Sequence, residues 1–252
     1  MDMLHTAAEA AEKAGKILEG YFETTGLERT EKDDKSFVTK ADTEAEELIV
    51  SLIRERFPDH GILGEEGSEV NPEAEYQWVI DPIDGTRNFT NGIPLFAVSI
   101  AVLYRGEPVI GVVYNPATGS LYAAEKGKGA TFNGSPMRVS VQEAKKGLVT
   151  FGPGQGDAKE KLRTFFQNGE SYFRSVRYLG CTALELAYVA RGGTEGFVCI
   201  GLKPWDYAAG RLLILEAGGT ITDYEGKECG IEQNYFIASN GVAHEALKSL
   251  VR

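Results

Sequence analysis

Cysteine and histidine are scarce in these 252 residues, with three of each. Cys181, Cys199 and Cys229 are odd in number, widely spaced and never in a CxxC pair. That argues against a disulfide framework and against a cysteine-based zinc site. His5, His60 and His244 are scattered without metal-ligand spacing. No run approaches the roughly 18 apolar residues that a membrane span needs. The opening stretch, MDMLHTAAEAAEKAGKILEGYF, lacks a signal peptide's basic start and long apolar core. Positive charge is also short: 26 lysines and arginines face 37 aspartates and glutamates, a formal net charge of −11. An acidic chain repels phosphate backbones and anionic lipid, so neither nucleic acid nor a membrane is an expected partner. There is no GxxxxGK[ST] loop, and GPGQGD (152–157) lacks the spacing of a dinucleotide fingerprint. These absences together predict a reduced, soluble, cytoplasmic protein.

What is present is ordinary globular composition, 42% hydrophobic and 25% charged, enough for a sizeable core. Leu4, Ala7, Ala8, Ala11, Ala14, Ile17, Leu18 and Tyr21 fall at three-to-four spacing and predict an amphipathic helix over 3–22. A polar loop (28–36) follows, then a helix over about 42–56 with Asp42 near its cap and Pro58 beyond its end. YQWVIDP, FAVSIAVLY, EPVIGVVYNP and SLYAAEKG read as strands joined by short turns, hence as antiparallel hairpins, and GKGATFNGSPMRVS continues them. After about residue 141 strands and helices alternate. LVTFG, SYFRSVRYLG, GFVCIG, TITDYEG and YFIASN are the strands, DAKEKLRTFFQNG, TALELAYVARGG, DYAAGRLLILEAGG and about 242–250 the helices. The expectation is one layered α+β domain over 1–252, with an α+β half to about 140 and an α/β half from 141.

Three acidic clusters punctuate this pattern: Gly64-Glu65-Glu66-Gly67, Asp81-Pro82-Ile83-Asp84-Gly85-Thr86 and Trp205-Asp206-Tyr207-Ala208-Ala209-Gly210. Each has a bland reading. Asp-Pro and Asp-Gly are turn dipeptides, a glycine-bounded acidic loop is a usual solvated surface, and Asp206 before an apolar helix suits an N-cap. Each also has a chemical one. A tight turn can aim Asp81, the Ile83 carbonyl and Asp84 at one point, a hard oxygen donor set suited to Mg²⁺. Gly85 and Thr86 would then offer backbone N–H groups to phosphate oxygens.

In this order the clusters resemble the signature of the inositol monophosphatase family. The resemblance runs on through SFVTKAD, NGSPMRVS and VRYLG to EAGG, nearly the whole chain. It implies a layered αβαβα sandwich of the inositol monophosphatase and fructose-1,6-bisphosphatase type, commonly a homodimer. It implies lithium-sensitive hydrolysis of a small phosphate monoester, inositol-1-phosphate above all, by a metal-activated water. Two or three Mg²⁺ ions would be held by Glu65, Asp81, the Ile83 carbonyl, Asp84 and Asp206, with Asp81 bridging two of them. The catalytic set implied is Thr86, which orients the water, its partner Asp42, and Glu65. Asp84, Gly85, Thr86, Gly180, Thr182 and Asp206 would meet the substrate. Asp42 reads equally as a helix cap.

The chain departs from the family pattern in the substrate pocket. Cys199 stands seven residues before Asp206, where family members acting on inositol phosphates carry an acid. A thiol cannot accept strong hydrogen bonds from hydroxyls. Cys181 replaces the usual serine or threonine after Gly180, and Thr182 stands where alanine is common. Both cysteines also read as small buried apolar residues. Arg174 and Arg177 form a basic stripe that could reach a second anionic group or simply be solvated. Fructose-1,6-bisphosphatase, histidinol-phosphate phosphatase and a 3′-phosphoadenosine nucleotide phosphatase are alternatives sharing the metal residues. A non-catalytic, cation-dependent binding module is the alternative of a different class.

Overall fold

The structure, a computed structural model, describes residues 2–22, 30–31, 37–152, 158–233 and 235–251. The reading of GPGQGD beyond Gly152, and most of the polar loop at 28–36, lie outside the described residues. In chain order the elements are α1 (Met3–Phe22), β1 (Thr30–Glu31), β2 (Phe37–Val38), α2 (Lys40–Arg56), β3 (Gly61–Gly64), β4 (Glu69–Val70), β5 (Tyr76–Asp84) and α3 (Thr86–Thr90). Then come β6 (Ala97–Tyr104), β7 (Glu107–Asn115), β8 (Ser120–Glu125), β9 (Gly129–Phe132), β10 (Ser135–Met137), β11 (Leu148–Phe151), α4 (Ala158–Tyr172) and β12 (Ser175–Arg177). The last are α5 (Thr182–Ala190), β13 (Gly196–Ile200), α6 (Pro204–Glu216), β14 (Thr220–Thr222), β15 (Tyr235–Ser239) and α7 (His244–Val251).

Two sheets carry the architecture. The larger has eight strands in the order β10-β9-β8-β7-β6-β5-β3-β4, the smaller five in the order β12-β11-β13-β15-β14. Three hydrophobic clusters fill the spaces around them. On β6, Val98, Ile100 and Val102 face α1 and α2, whereas Ala97, Ala101 and Leu103 face α5 and α6. Strand period two thus divides one apolar run between two cores, which explains why FAVSIAVLY shows no polar alternation. Beyond α5 and α6 lies the five-stranded sheet, whose Phe197 and Cys199 join the middle cluster while Val149 and Val198 face outward with Phe165 and Leu247. The layers are therefore α1/α2, sheet, α5/α6, sheet, α4/α7, the αβαβα order that the resemblance implies.

Several local expectations are corrected. Helix α2 begins at Lys40, because Thr39 is the N-cap. Its hydroxyl accepts from the Ala41 N–H, and Asp42, at the third helical position, accepts from the Thr39 N–H at 2.7 Å. Asp42 therefore belongs to a capping box rather than serving as the cap. Likewise α6 starts at Pro204 after the N-cap Lys203, so Asp206 lies inside the first turn. SYFRSVRYLG is strand only over Ser175–Arg177, since α4 continues to Tyr172. β3 and β4 carry no sequence signal: they are short, and β3 is bounded by glycines at both ends. Gly61 needs its lack of a side chain, as a Cβ would stand 2.6 Å from the Asn71 carbonyl.

Helix α6 lies close against β7, and the contact permits no side chain at Gly111, where a Cβ would fall 2.7 Å from the Ala209 carbonyl oxygen. On its other side α6 meets α5 through Gly210, whose Cβ would collide with Leu186. Small residues thus set the height of α6, and with it the position of Asp206. Gly111→Val should push α6 off the sheet and cost about 1–3 kcal/mol, as overpacking does. Thermal melting should register this as a loss of several degrees; an unchanged melting temperature would show that α6 tolerates displacement.

Candidate active site

The acidic site grows out of strand β5. Trp78 and Ile80 pack on the α1/α2 side and Val79 on the α5/α6 side, so alternation turns Asp81 toward α6. A register shift between Asp81 and Asp84 then interrupts the ladder to β6. Pro82, which cannot donate to the ladder, occupies this irregularity. Ile83 consequently joins the α1/α2 core instead of following Asp81, leaving Asp84 on the α5/α6 side with Asp81. A bulge that re-aims a side chain beside a site is a known use of such irregularities. Asp81 is 1% exposed, and its Oδ1 accepts from the Ile83 N–H at 3.0 Å.

Asp84 is held from across the molecule. Its Oδ2 accepts from the Ala183 N–H, in the first turn of α5, and from the Cys181 thiol at 3.2 Å. Asp206 Oδ2 accepts from the Lys203 N–H at 2.7 Å. The Ser99 hydroxyl, on the strand residue paired with Asp81, donates to the Trp205 carbonyl at 3.2 Å and ties the start of α6 to β6.

Glu65 follows directly on β3 and donates its N–H to the Ile80 carbonyl at 3.0 Å. Its loop is fixed by a residue that sequence reasoning missed. Glu46, buried on α2, accepts from the N–H groups of Glu66 at 2.9 Å and Ser68 at 3.1 Å. A Cβ at Gly64 would sit 2.5 Å from that carboxylate, so the first glycine of the cluster is required by close approach. Gly67 adopts φ +104°, in the region that favours glycine.

Burial pushes the Asp81 carboxyl well above the usual carboxylate range, and the neighbouring charges of Glu65, Asp84 and Asp206 push it further. A hydrogen bond with Glu65 favours its protonated form. Asp84 is raised to about 7 by burial, against the pull of the Ala183 N–H and the Cys181 thiol. Asp206 is raised by burial and then by Asp84. Among the described residues no lysine or arginine forms an ion pair with Asp81, Asp84 or Asp206. Nor does any group of three or more histidine, cysteine, aspartate or glutamate side chains among the described residues stand arranged to hold a metal ion. Asp81 is hydrogen-bonded to Glu65 instead. A desolvated, hard oxygen donor set suits a divalent cation, which would replace the protons that burial favours on Asp81, Asp84 and Asp206.

The other expected residues are held by local hydrogen bonds and tight backbone. Gly85 caps α3 at φ +90°, and a Cβ there would meet the Leu95 carbonyl at 2.9 Å. Thr86 donates its hydroxyl to the Ile83 carbonyl at 3.0 Å. Asp42 Oδ2 accepts from the Thr39 hydroxyl at 2.6 Å, and β2, just before it, packs against α3. Gly180, at φ +74°, and the buried Thr182 flank Cys181. Asn88, a second residue whose role was not read, donates to the carbonyls of Leu95 and Leu179, both at 2.8 Å, and fastens that loop to α3. Its presence in the Asp-Gly-Thr-x-Asn-Phe motif was the available signal.

Cys199 is fully buried, and its carbonyl accepts from the Tyr224 hydroxyl at 2.9 Å. Arg174 and Arg177 are exposed; Arg177 donates to the Val176 carbonyl at 2.9 Å and to the Ser175 hydroxyl. Two of the histidines serve the framework. His60 accepts from the Trp78 indole at 3.0 Å, and His244 lies 2.8 Å from both the Thr222 and Ser239 hydroxyls. All three cysteines are buried free thiols. No helix among the described residues is long and apolar enough to cross a membrane.

Comparison with known proteins agrees with this geometry. The protein named Nus factor SuhB from Escherichia coli (strain K12) is 40% identical over 246 residues, covering 96% of this chain and 90% of that protein. The fructose-1,6-bisphosphatase/inositol-1-monophosphatase of Thermotoga maritima is 38% identical over 251 residues, covering 100% of this chain and 96% of that one. The solved structure of a Thermotoga maritima IMPase superposes with a TM-score of 0.92 at 38% identity, covering 100% of this chain and 97% of that one. Residues 1–252 match the inositol monophosphatase family, and the chain belongs to it.

Proposed function

We propose that this protein is a Mg²⁺-dependent phosphatase that hydrolyses a small phosphate monoester, with inositol-1-phosphate as the leading substrate. The observation that carries this reading is the convergence of Glu65, Asp81, Asp84 and Asp206 from three separate parts of the chain, their charges acting on one another. These carboxylates and the Ile83 carbonyl would hold the cations. When bound, the cations supply charge neutralisation and acidify the attacking water.

The chain's own residues supply the geometry. Thr86, with Asp42 as its partner, orients the water, and Glu65 completes that catalytic set. Gly85 and Thr86, at the start of α3, and Gly180 and Thr182, across the Asn88 tie, receive the phosphate oxygens. Asp84 and Asp206 also meet the substrate. No covalent phosphoenzyme is needed. Uncatalysed phosphate-monoester hydrolysis is extremely slow, so positioning and charge stabilisation must contribute most of the acceleration. Inositol specificity is the weaker element, because Cys199 presents no carboxylate to the leaving group. The name of the Thermotoga maritima relative, which joins a fructose-1,6-bisphosphatase to an inositol-1-monophosphatase, supports testing both esters. The homodimer and lithium sensitivity expected from the family belong to the same reading.

The second reading is a non-catalytic binding module, favoured by the Escherichia coli relative's name, a Nus factor. Phosphate release from inositol-1-phosphate, fructose-1,6-bisphosphate, histidinol phosphate and 3′-phosphoadenosine 5′-phosphate, with and without Mg²⁺, separates the two. Mg²⁺-dependent release is expected from at least one ester. Silence on the whole panel from folded, Mg²⁺-loaded protein would favour the module.

Asp84→Asn and Asp206→Asn should each abolish turnover while preserving the far-ultraviolet circular dichroism spectrum. Near-normal kcat in either would remove that residue from the site. A linkage prediction follows from the same carboxyls. Those whose folded pKa is raised bind more protons in the native than in the unfolded state, so they stabilise the fold at low pH and lose that contribution as pH rises. For Asp84 the loss begins near the ordinary aspartate value, about 4, and runs through its folded value of about 7. In chelator, denaturant titrations should show stability declining across that window, and Mg²⁺ should restore it at the upper end. A Mg²⁺ effect equally large at both ends would contradict the linkage.

A further inference from the structure

Glu185 is a buried acid that the reading above does not use. It lies fully buried in the first turn of α5, and among the described residues no lysine or arginine forms an ion pair with it. Burying an acid without a basic partner costs stability, so core packing alone gives no reason for one here. What the side chain does is hold backbone. Its Oε1 accepts from the Leu179 N–H at 3.2 Å, and the Cys181 backbone also bonds to the carboxyl. From β11 the Thr150 hydroxyl bears on the same group.

The segment held in this way is gripped from α3 as well. Asn88 donates to the carbonyls of Leu179 at 2.8 Å and Gly180 at 3.3 Å, so Leu179 has its N–H tied to α5 and its carbonyl to α3. Gly180 takes φ +74°, and its carbonyl oxygen would stand 3.3 Å from a Cβ at Gly85. At the far end of the turn the Cys181 thiol and the Ala183 N–H both reach Asp84 Oδ2. The groups that fix Asp84 thus sit on a turn whose own place depends on the Glu185 carboxyl. Without that acceptor the Leu179 N–H is left buried and unmet, and the turn must shift to satisfy it.

We propose that Glu185 is a positioning residue for ester hydrolysis: by accepting from the Leu179 N–H it fixes the turn from Leu179 to Ala183, and so sets both the donors on Asp84 and the placement of Gly180 and Thr182 toward the substrate. It acts through the turn and not on the ester. Reacting groups must be held to within a fraction of an ångström by such supporting bonds, and a shift of about 1 Å can cost about a hundredfold in rate. The inference rests on the phosphatase reading above and adds to it a residue outside the three acidic clusters.

The test uses the full-length protein and compares Glu185→Leu, which fills the space without an acceptor, with Glu185→Gln, which keeps one. Glu216→Leu is the control. Glu216 accepts from the Gly127 and Gly129 N–H groups, both at 2.8 Å, at the opposite end of α6 from Asp206. On the ester that the wild type hydrolyses, Glu185→Leu should lose about a hundredfold in kcat/KM, and Glu185→Gln should recover most of that loss. Glu216→Leu should lower the melting temperature while turnover per folded molecule stays unchanged. Amide hydrogen exchange in metal-free protein gives a readout without turnover: it should quicken at Leu179 and Ala183 in Glu185→Leu and stay slow in Glu185→Gln. Glu185→Met stands in if the leucine variant fails to fold. Near-normal kcat/KM in Glu185→Leu, or a glutamine variant as impaired as the leucine one, would overturn this inference alone. A folded wild type that hydrolyses no ester would remove the phosphatase reading, and this inference with it.

Discussion

Like charge gathered out of water is the constraint around which this molecule is organised. Asp81 is buried with Asp84, Asp206 and Glu65 acting on it, and no basic side chain among the described residues is paired with the three aspartates. Desolvating an ionised carboxylate costs several kcal/mol even after relaxation. The surrounding structure offsets this in two ways. Backbone N–H groups of Ile83, Ala183 and Lys203 are aimed at the carboxyl oxygens. Large apolar side chains on β5, on α3 and just before β6, namely Trp78, Ile80, Phe89 and Phe96, are fully buried, each contributing about 1.5–3 kcal/mol. The core thus holds in place a group of acids that would separate if left to themselves.

Carboxylates also organise the backbone around the site. Asp42 and Asp206 occupy the same third position of their helices, and each accepts from the N–H three residues earlier. Glu46 fixes the Glu65 loop and Glu185 fixes the Leu179 turn. The acidic excess of the composition is therefore partly structural. Some of its acids are internal acceptors for amides that the turns and helix starts would otherwise leave unmet. On β11 the Thr150 hydroxyl favours the charged form of the Glu185 carboxyl, although burial outweighs it and pushes that group up.

Much of this was legible in residue order, and the illegible parts share a cause. The spacing of α1 and the hairpins β6 to β8 follows directly from periodicity, because those elements bury whole faces. The αβαβα layering and the three acidic clusters were readable through motif order. Missing were the short β3, the continuation of β5 beyond Pro82 to Asp84, and the early start of α6, each decided by contacts with distant residues. Glu46 looks like any helical glutamate until Gly64 is seen against it. Asn88 has no meaning until the Leu179 carbonyl arrives 91 residues later. The bulge that separates Asp84 from Ile83 could not be foreseen either, since Asp-Pro-Ile-Asp reads as readily as a turn.

The dispersal of the site along the chain has a kinetic side. Glu65 and Asp81 lie near one end of the eight-stranded sheet, whereas Asp206 arrives on a helix that must be seated between two completed sheets. Loop closure over such distances adds entropy cost slowly with length, but the contact that repays it comes only when α5 and α6 dock. Asp206 therefore joins the acids only when α6 docks, whereas Glu65 and Asp81 already stand beside each other on paired strands. Their repulsion opposes the last docking step and not the first collapse, which confines electrostatic frustration to a stage where the rest of the chain can bear it.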